Sequence, residues 1–266
     1  LTLGGALNCV ALNNTVANTI GSNSVIKSQG DLDIGTAADL FQLLVSLSAS
    51  AGGKTAVGGT IAVIVNEAEA KTDVGSAKLE STAGSIRIHT DSDETLVNLI
   101  ASASAAKAGG TAAAAGSIGV VVDLEKAYVL ASDGAEITAN QDVQITSDIS
   151  SLLVSGGIAA SVGGMTAGVG ATLLVNVIER EAKIELGQTE IIAHNGDILI
   201  QAQGEDTSVI LGIAAGVSPQ GAGIAGTIPV TVGQSATNVT VGSGSRLDAY
   251  DSIGILADLN SGYYLF

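Results

Sequence analysis

A short apolar couplet returns five times along this 266-residue chain, at Asp31-Leu32-Asp33-Ile34, Ser85-Ile86-Arg87-Ile88, Asp142-Val143-Gln144-Ile145, Asp197-Ile198-Leu199-Ile200 and Ser252-Ile253-Gly254-Ile255. Successive copies lie 54, 57, 55 and 55 residues apart. A fixed period of this length restricts the chain to a stacked array, because one unit alone cannot bury its apolar side chains and needs the next to cover them. The approximate repeats are 1–40 (partial), 41–96, 97–150, 151–208 and 209–266, and they form one array over residues 1–266.

The bricks available for its core are small. Apolar residues make up 46% of the chain, yet there is no Trp and only Phe41, Phe266, Tyr128, Tyr250, Tyr263 and Tyr264 are aromatic. With 35 glycines and two prolines the space to be filled is narrow and regular. Closely approaching sheets meet that demand.

Within a repeat, two β-rich runs flank a glycine reversal. Phe41 to Ser50 leads to Gly52-Gly53, and Gly59-Thr60-Ile61-Ala62-Val63-Ile64-Val65-Asn66 returns. The reversal recurs at Gly109-Gly110 and Gly163-Gly164 and, modified, at Ser218-Pro219-Gln220-Gly221. Alanine density in 101–115 competes for helix. Gly109-Gly110 breaks that run, and the equivalent positions elsewhere carry Val, Ile and Thr, so strands are expected. Both faces of the long runs are aliphatic or small, as in Ser151 to Ala160, which predicts burial on both sides. The polar ends Asn13, Asn66, Asp123 and Asn176 are read as one repeat position.

The remainder of each repeat steps in shorter units: Ala182-Lys183-Ile184, then Ile191-Ile192-Ala193, then the couplet. Two long and three short strands per repeat are expected, in two coils per repeat or three of about 19 residues. Two coils each would make a rod of roughly 50 Å at about 4.8 Å per coil. The fold class is all-β, a parallel β-helix or β-solenoid built from repeats of about 55 residues. Leu1 falls inside a repeat and Phe266 where another would open, which reads as a fragment of a longer chain.

The Gly-Gly reversal, the Val-rich strand ending in Asn, the Ala-x-Ile step, the Ile-x-Ala step and the Gly-Asp-Ile-x-Ile couplet are most complete from Gly163 to Ala202. In this style of repeat the chain resembles the repeat region of large bacterial filamentous adhesins, the filamentous-haemagglutinin-like and leukotoxin-type group. The resemblance implies an extended right-handed solenoid exported to the cell surface. Pro229 inside a returning strand and Gly233 in place of Asn depart from the pattern and mark the last repeat as the least secure pairing.

The charge balance, 10 basic against 26 acidic side chains and a net −16, argues against a nucleic-acid surface and for a self-repelling coat. Cys9 is alone and is read as a small apolar filler. No apolar run is long enough for a membrane helix, and without aromatic girdles a membrane barrel fails, so no membrane insertion is expected.

No catalytic, cofactor-binding or metal-ligating residue is assigned. His89 and His194 sit on either side of the couplet and are read as separate solvent-facing residues. Asp91-Ser92-Asp93-Glu94 is read as a solvated turn, since no calcium-loop spacing surrounds it. Asp31, Asp142 and Asp197 recur at one repeat position, as a turn requirement would place them, whereas a glycan lyase or hydrolase needs its acids gathered in one groove. The expected role is a non-enzymatic shaft segment of a secreted or surface adhesin, serving adhesion or filament assembly. Its expected partners are its own kind, by end-to-end or lateral self-association. The alternative is a solenoid face that binds glycan or a host protein.

Overall fold

The computed structural model describes residues 1–266. Its five coils each run long, short, long: β1 (Thr2–Thr19), β2 (Val25–Ser28) and β3 (Leu32–Ala51); β4 (Thr55–Asp73), β5 (Lys78–Ser81) and β6 (Ile86–Ala105); β7 (Ala112–Ala131), β8 (Glu136–Ala139) and β9 (Val143–Val162); β10 (Ala167–Leu186), β11 (Glu190–Ala193) and β12 (Ile198–Val217); β13 (Ala222–Val241), β14 (Arg246–Ala249) and β15 (Ile253–Leu265). They stack as three parallel five-stranded sheets, β1-β4-β7-β10-β13, β2-β5-β8-β11-β14 and β3-β6-β9-β12-β15. This is a parallel β-solenoid.

Each repeat makes one coil, which corrects the expectation of two or three. The couplet is the opening of the following long strand, and the Ala-x-Ile step is the end of the returning one, so only one short strand per coil remains. Five coils therefore advance about 24 Å, and each 20-residue strand runs about 66 Å across. The molecule is a broad thin wedge in place of a rod. The frame beginning at Phe41 starts inside β3, whereas each coil turns over at a glycine reversal.

Register follows the period. Thr2 pairs with Ala56 and Thr55 with Ala112, offsets of 54 and 57. The longer step is taken up where β6 passes to β7 through residues 106–111, leaving the ladders unbroken. Ile34, Ile88, Ile145, Ile200 and Ile255 stand in one column. Ile145 is 0% exposed and Ile255, in the last coil, 48%. Removing such a side chain from water stabilises by about 1.5–3 kcal/mol, and only a neighbouring coil provides the cover. The polar position slips, however: Asn66 pairs with Asp123, but its other partner is Leu12, and Asn176 pairs with Val121. Pro229 keeps its place opposite Leu174 because β13 is an edge strand, where a missing N–H costs no ladder bond on the open side.

The interior narrows from base to tip. At the base the short strands close a triangular core of Ile, Leu and Val, including Leu79, Ile137, Ile184 and Ile191. Toward the reversals the inward residues shrink to Ala, Gly, Ser and Thr, and the two long sheets approach until side chain meets backbone. Thr60, Ser117 and Thr172, stacked in one column, donate across the interior to the carbonyls of Ala101, Ile158 and Ile213 at 2.7, 2.7 and 3.0 Å. A Cβ on Gly58 would lie 2.7 Å from the Ala103 carbonyl oxygen, so only glycine permits this approach. The reversals share one edge, where Met165 N–H donates to the Gly110 carbonyl at 2.7 Å.

Burial on both faces of the long strands is not found. Inward residues such as Ala159 are sealed, while outward neighbours such as Ile158 (46%), Leu47 (67%) and Ile228 (61%) are exposed. Cys9 is likewise exposed on the outer face of β1, a correction to its reading as core filler.

Candidate functional site

The strongest concentration of chemistry lies inside the wedge, midway along the long strands. In β10, inward positions alternate through Leu174, Asn176, Ile178, Arg180, Ala182 and Ile184. Strand periodicity thus drives the Arg180 guanidinium into the core, where it is 3% exposed. It is met from two strands, one in each long sheet. Nη2 donates to Asp123 Oδ2 at 2.7 Å, Nη1 bonds Asp206 Oδ1, and Nε lies 3.5 Å from Glu125 Oε2. Asp123 and Glu125 come from β7, and Asp206 from β12.

A second layer ties these carboxylates down. Asn66 donates to Glu94 at 2.6 Å and to Asp123 at 3.1 Å. Ser92 donates to Glu125 at 2.7 Å, and Ser235 and Tyr263 donate to Asp206 at 2.9 and 2.8 Å. One guanidinium thus meets three buried carboxyl groups, and Asn66 ties a fourth, Glu94, to the same cluster. Burial, reinforced by the neighbouring Asp123 and Glu125, pushes Glu94 up to about 9, so it carries a proton at neutral pH. Burial also pushes Glu125 up to about 7, against the opposing pull of Ser92 and Arg180. The cluster's chemistry is the holding of a proton and of five side chains from four long strands in one arrangement.

The sequence reading missed this cluster. Its signal was a charged residue in phase with aliphatic ones: Arg180 with Ile178 and Ile184, and Glu94 with Ile88, Leu96 and Ile100.

Asp91-Ser92-Asp93-Glu94 is mid-strand in β6 and not a turn; Ser92 and Glu94 point in, Asp91 and Asp93 out. Asp91 pairs with Asp148 on the outer face, and burial together with that carboxylate pushes Asp148 up to about 6. His89 is half-buried, which corrects its solvent-facing assignment. Its Nδ1 is 3.2 Å from Asp33 Oδ1 and its ring covers Gly35, whose missing side chain makes the room. His194 is exposed at the corner after β11, on a different edge. No group of three or more His, Cys, Asp or Glu side chains is arranged to hold a metal ion.

The recurrent aspartates are joints between coils. Asp31 Oδ1 accepts Ser85 N–H at 2.9 Å, Asp142 Oδ1 accepts Asp197 N–H at 2.9 Å, and Asp197 Oδ1 accepts Ser252 N–H at 2.8 Å. The glycine before the couplet belongs to the same device, since a Cβ on Gly84 or Gly196 would strike the carboxylate of the coil before. Comparison of the chain with protein-family models, curated proteins and solved structures finds no match.

Proposed function

We propose that this chain is a structural solenoid segment of a long bacterial surface or secreted fibrous adhesin, acting in adhesion through assembly and not through catalysis. The observation that supports this reading is where its repeated polar groups go: Asp31, Asp142 and Asp197 join one coil to the next, and the charged cluster is sealed inside. The end coils offer the matching surface. β1 and β3 at one end, β13 and β15 at the other, present strand edges, and inward residues such as Ile255 are uncovered there. Such edges accept another coil of the same build. With one coil per 55 residues the segment gains breadth faster than length, so its contribution to a fibre is a wide lateral face as well as axial continuity.

Electron microscopy of the purified segment over a concentration series tests assembly, with end-to-end stacks expected to lengthen as salt screens the net −16 charge. Isolated particles under every condition reject it. Protease treatment of intact source cells tests placement: a chain cleaved before lysis supports the surface assignment, and one protected until lysis rejects it.

A further inference from the structure

The distal half of the first sheet has an outer face without a single charged side chain. Its rows are set by register: Val57, Ala114 and Val169 with Leu3 and Ile224; Gly59, Gly116 and Ala171 with Gly5 and Gly226; Ile61, Ile118 and Leu173 with Leu7 and Ile228; then two rows of Val, completed by Cys9, Ala11, Val230 and Val232. The face ends sharply at the next row, where Glu67 and Glu179 appear. It measures about 24 Å by about 30 Å, on the order of 700 Å². That exceeds the apolar patches single soluble domains ordinarily expose and approaches the roughly 800 Å² per partner of a standard interface.

The glycine column is not required by the fold. These glycines are in extended strand, none has positive φ, and a Cβ on Gly116 or Gly226 would meet nothing within 4 Å. They leave a trough beside the ridge formed by Leu7, Ile61, Ile118, Leu173 and Ile228, two residues along each strand. A trough next to a ridge at constant spacing is self-complementary under a two-fold axis.

We propose that a second copy of this chain docks on this face, its strands antiparallel to those it covers, about a two-fold axis running along the stack between trough and ridge. Ile118 of each copy then fills the space over Gly116 of the other, Ile61 that over Gly59 and Leu7 that over Gly5. Charge selects this orientation. With strands parallel, the row holding Glu67 and Glu179 would confront its own copy, as would the next, in which Lys126 stands between Glu69 and Glu181, whereas the antiparallel pair sets Lys54, in the reversal before β4, over the partner's Glu67 level. The pairing rests on the reading above and gives its lateral association a surface and a partner.

The test is sedimentation of the whole chain beside Gly116→Leu, which fills the trough from an open outer position and leaves the end coils intact. A dimer whose dissociation constant rises at least tenfold in the variant, with an unchanged melt, is the expected result. The second arm is Leu3→Cys, which places a thiol opposite the partner's Cys9 and about 20 Å along the strand from its own. A short bis-maleimide should link two chains, and Leu47→Cys on the opposite sheet should not support the link. Retained dimerisation in a folded Gly116→Leu, no cross-link from Leu3→Cys, or a chain that stays monomeric and sediments with phosphatidylcholine vesicles would each overturn the pairing. Failure of the cell-surface assay would leave it standing, and a monomer that still forms end-to-end stacks would sink this pairing alone.

Discussion

Arg180 and Asp123 meet at 2.7 Å inside the wedge, on adjacent strands of one sheet yet 57 residues apart in sequence. A buried guanidinium holding carboxylates from β7 and β12 makes both long sheets depend on a single side chain. Arg180→Met should cost about 3–5 kcal/mol, because Asp123 and Asp206 are left buried without a counter-charge. Adding Asp123→Asn and Asp206→Asn should recover most of that loss. Denaturant unfolding of the three proteins checks both, and an Arg180→Met midpoint equal to the parent's would mean the ion pairs do not bear on stability.

The same cluster makes stability depend on pH with a definite sign. Glu94, pushed up to about 9, and Glu125, pushed up to about 7, keep protons in the folded chain that the unfolded chain releases near its ordinary 4.5. The folded state therefore binds more protons across that interval, and stability falls as pH rises. The fall is steepest between about 4.5 and 7, where both groups contribute, each up to about 1.4 kcal/mol per pH unit. Asp148, pushed up to about 6, adds in the same direction at the acid end. Melting at constant ionic strength should give a higher Tm at pH 5 than at pH 9, with a smaller difference in Glu94→Gln. A Tm that climbs with pH would contradict the protonated state of Glu94.

Asp142 and Gly196 act as one joint, the carboxylate occupying the space that a side chain on the glycine would take. Asp142→Ala should cost about 1 kcal/mol through the lost bond to Asp197 N–H. Gly196→Ala should cost more in the parent than in the Asp142→Ala background, since the carboxylate is its nearest obstacle. A double-mutant cycle measures this coupling, expected on the order of 0.5–1 kcal/mol. Strict additivity would dissociate the two residues.

Much of this architecture was legible because a solenoid writes its register into its period. The isoleucine column and the shared edge of reversals both follow from side chains that must recur to be covered. Coil number was hidden by polar interruptions such as Thr36 to Asp39 and Glu67 to Asp73, which resemble turns. They lie within the long strands, where the outward residues meet water and inward ones such as Thr36 and Thr72 bond across the interior, Thr36 to the Lys71 carbonyl at 2.9 Å and Thr72 to that of His89 at 2.7 Å. The ion cluster was hidden for a different reason. Its members come from three coils and both long sheets, and no local pattern brings Glu94, Glu125, Arg180 and Asp206 together before the wedge closes.

Ala159 and Ala160 separate the two faces of β9 most simply. Ala159 is fully buried in the narrow interior, where the opposed sheets already touch, whereas Ala160 is half-buried on the outer face. Ala159→Leu adds three carbons with nowhere to go and should cost about 1–3 kcal/mol by overpacking. Ala160→Leu adds them to an outward row between Ala103 and Ala215, where solvent receives them, and should move stability by no more than about 0.5 kcal/mol. The sequence reading, with both faces buried, would have made the two substitutions equally costly. Thermal melts of the pair therefore discriminate directly. If Ala160→Leu is the more damaging, the sheet faces the other way and the interior has been assigned to the wrong side.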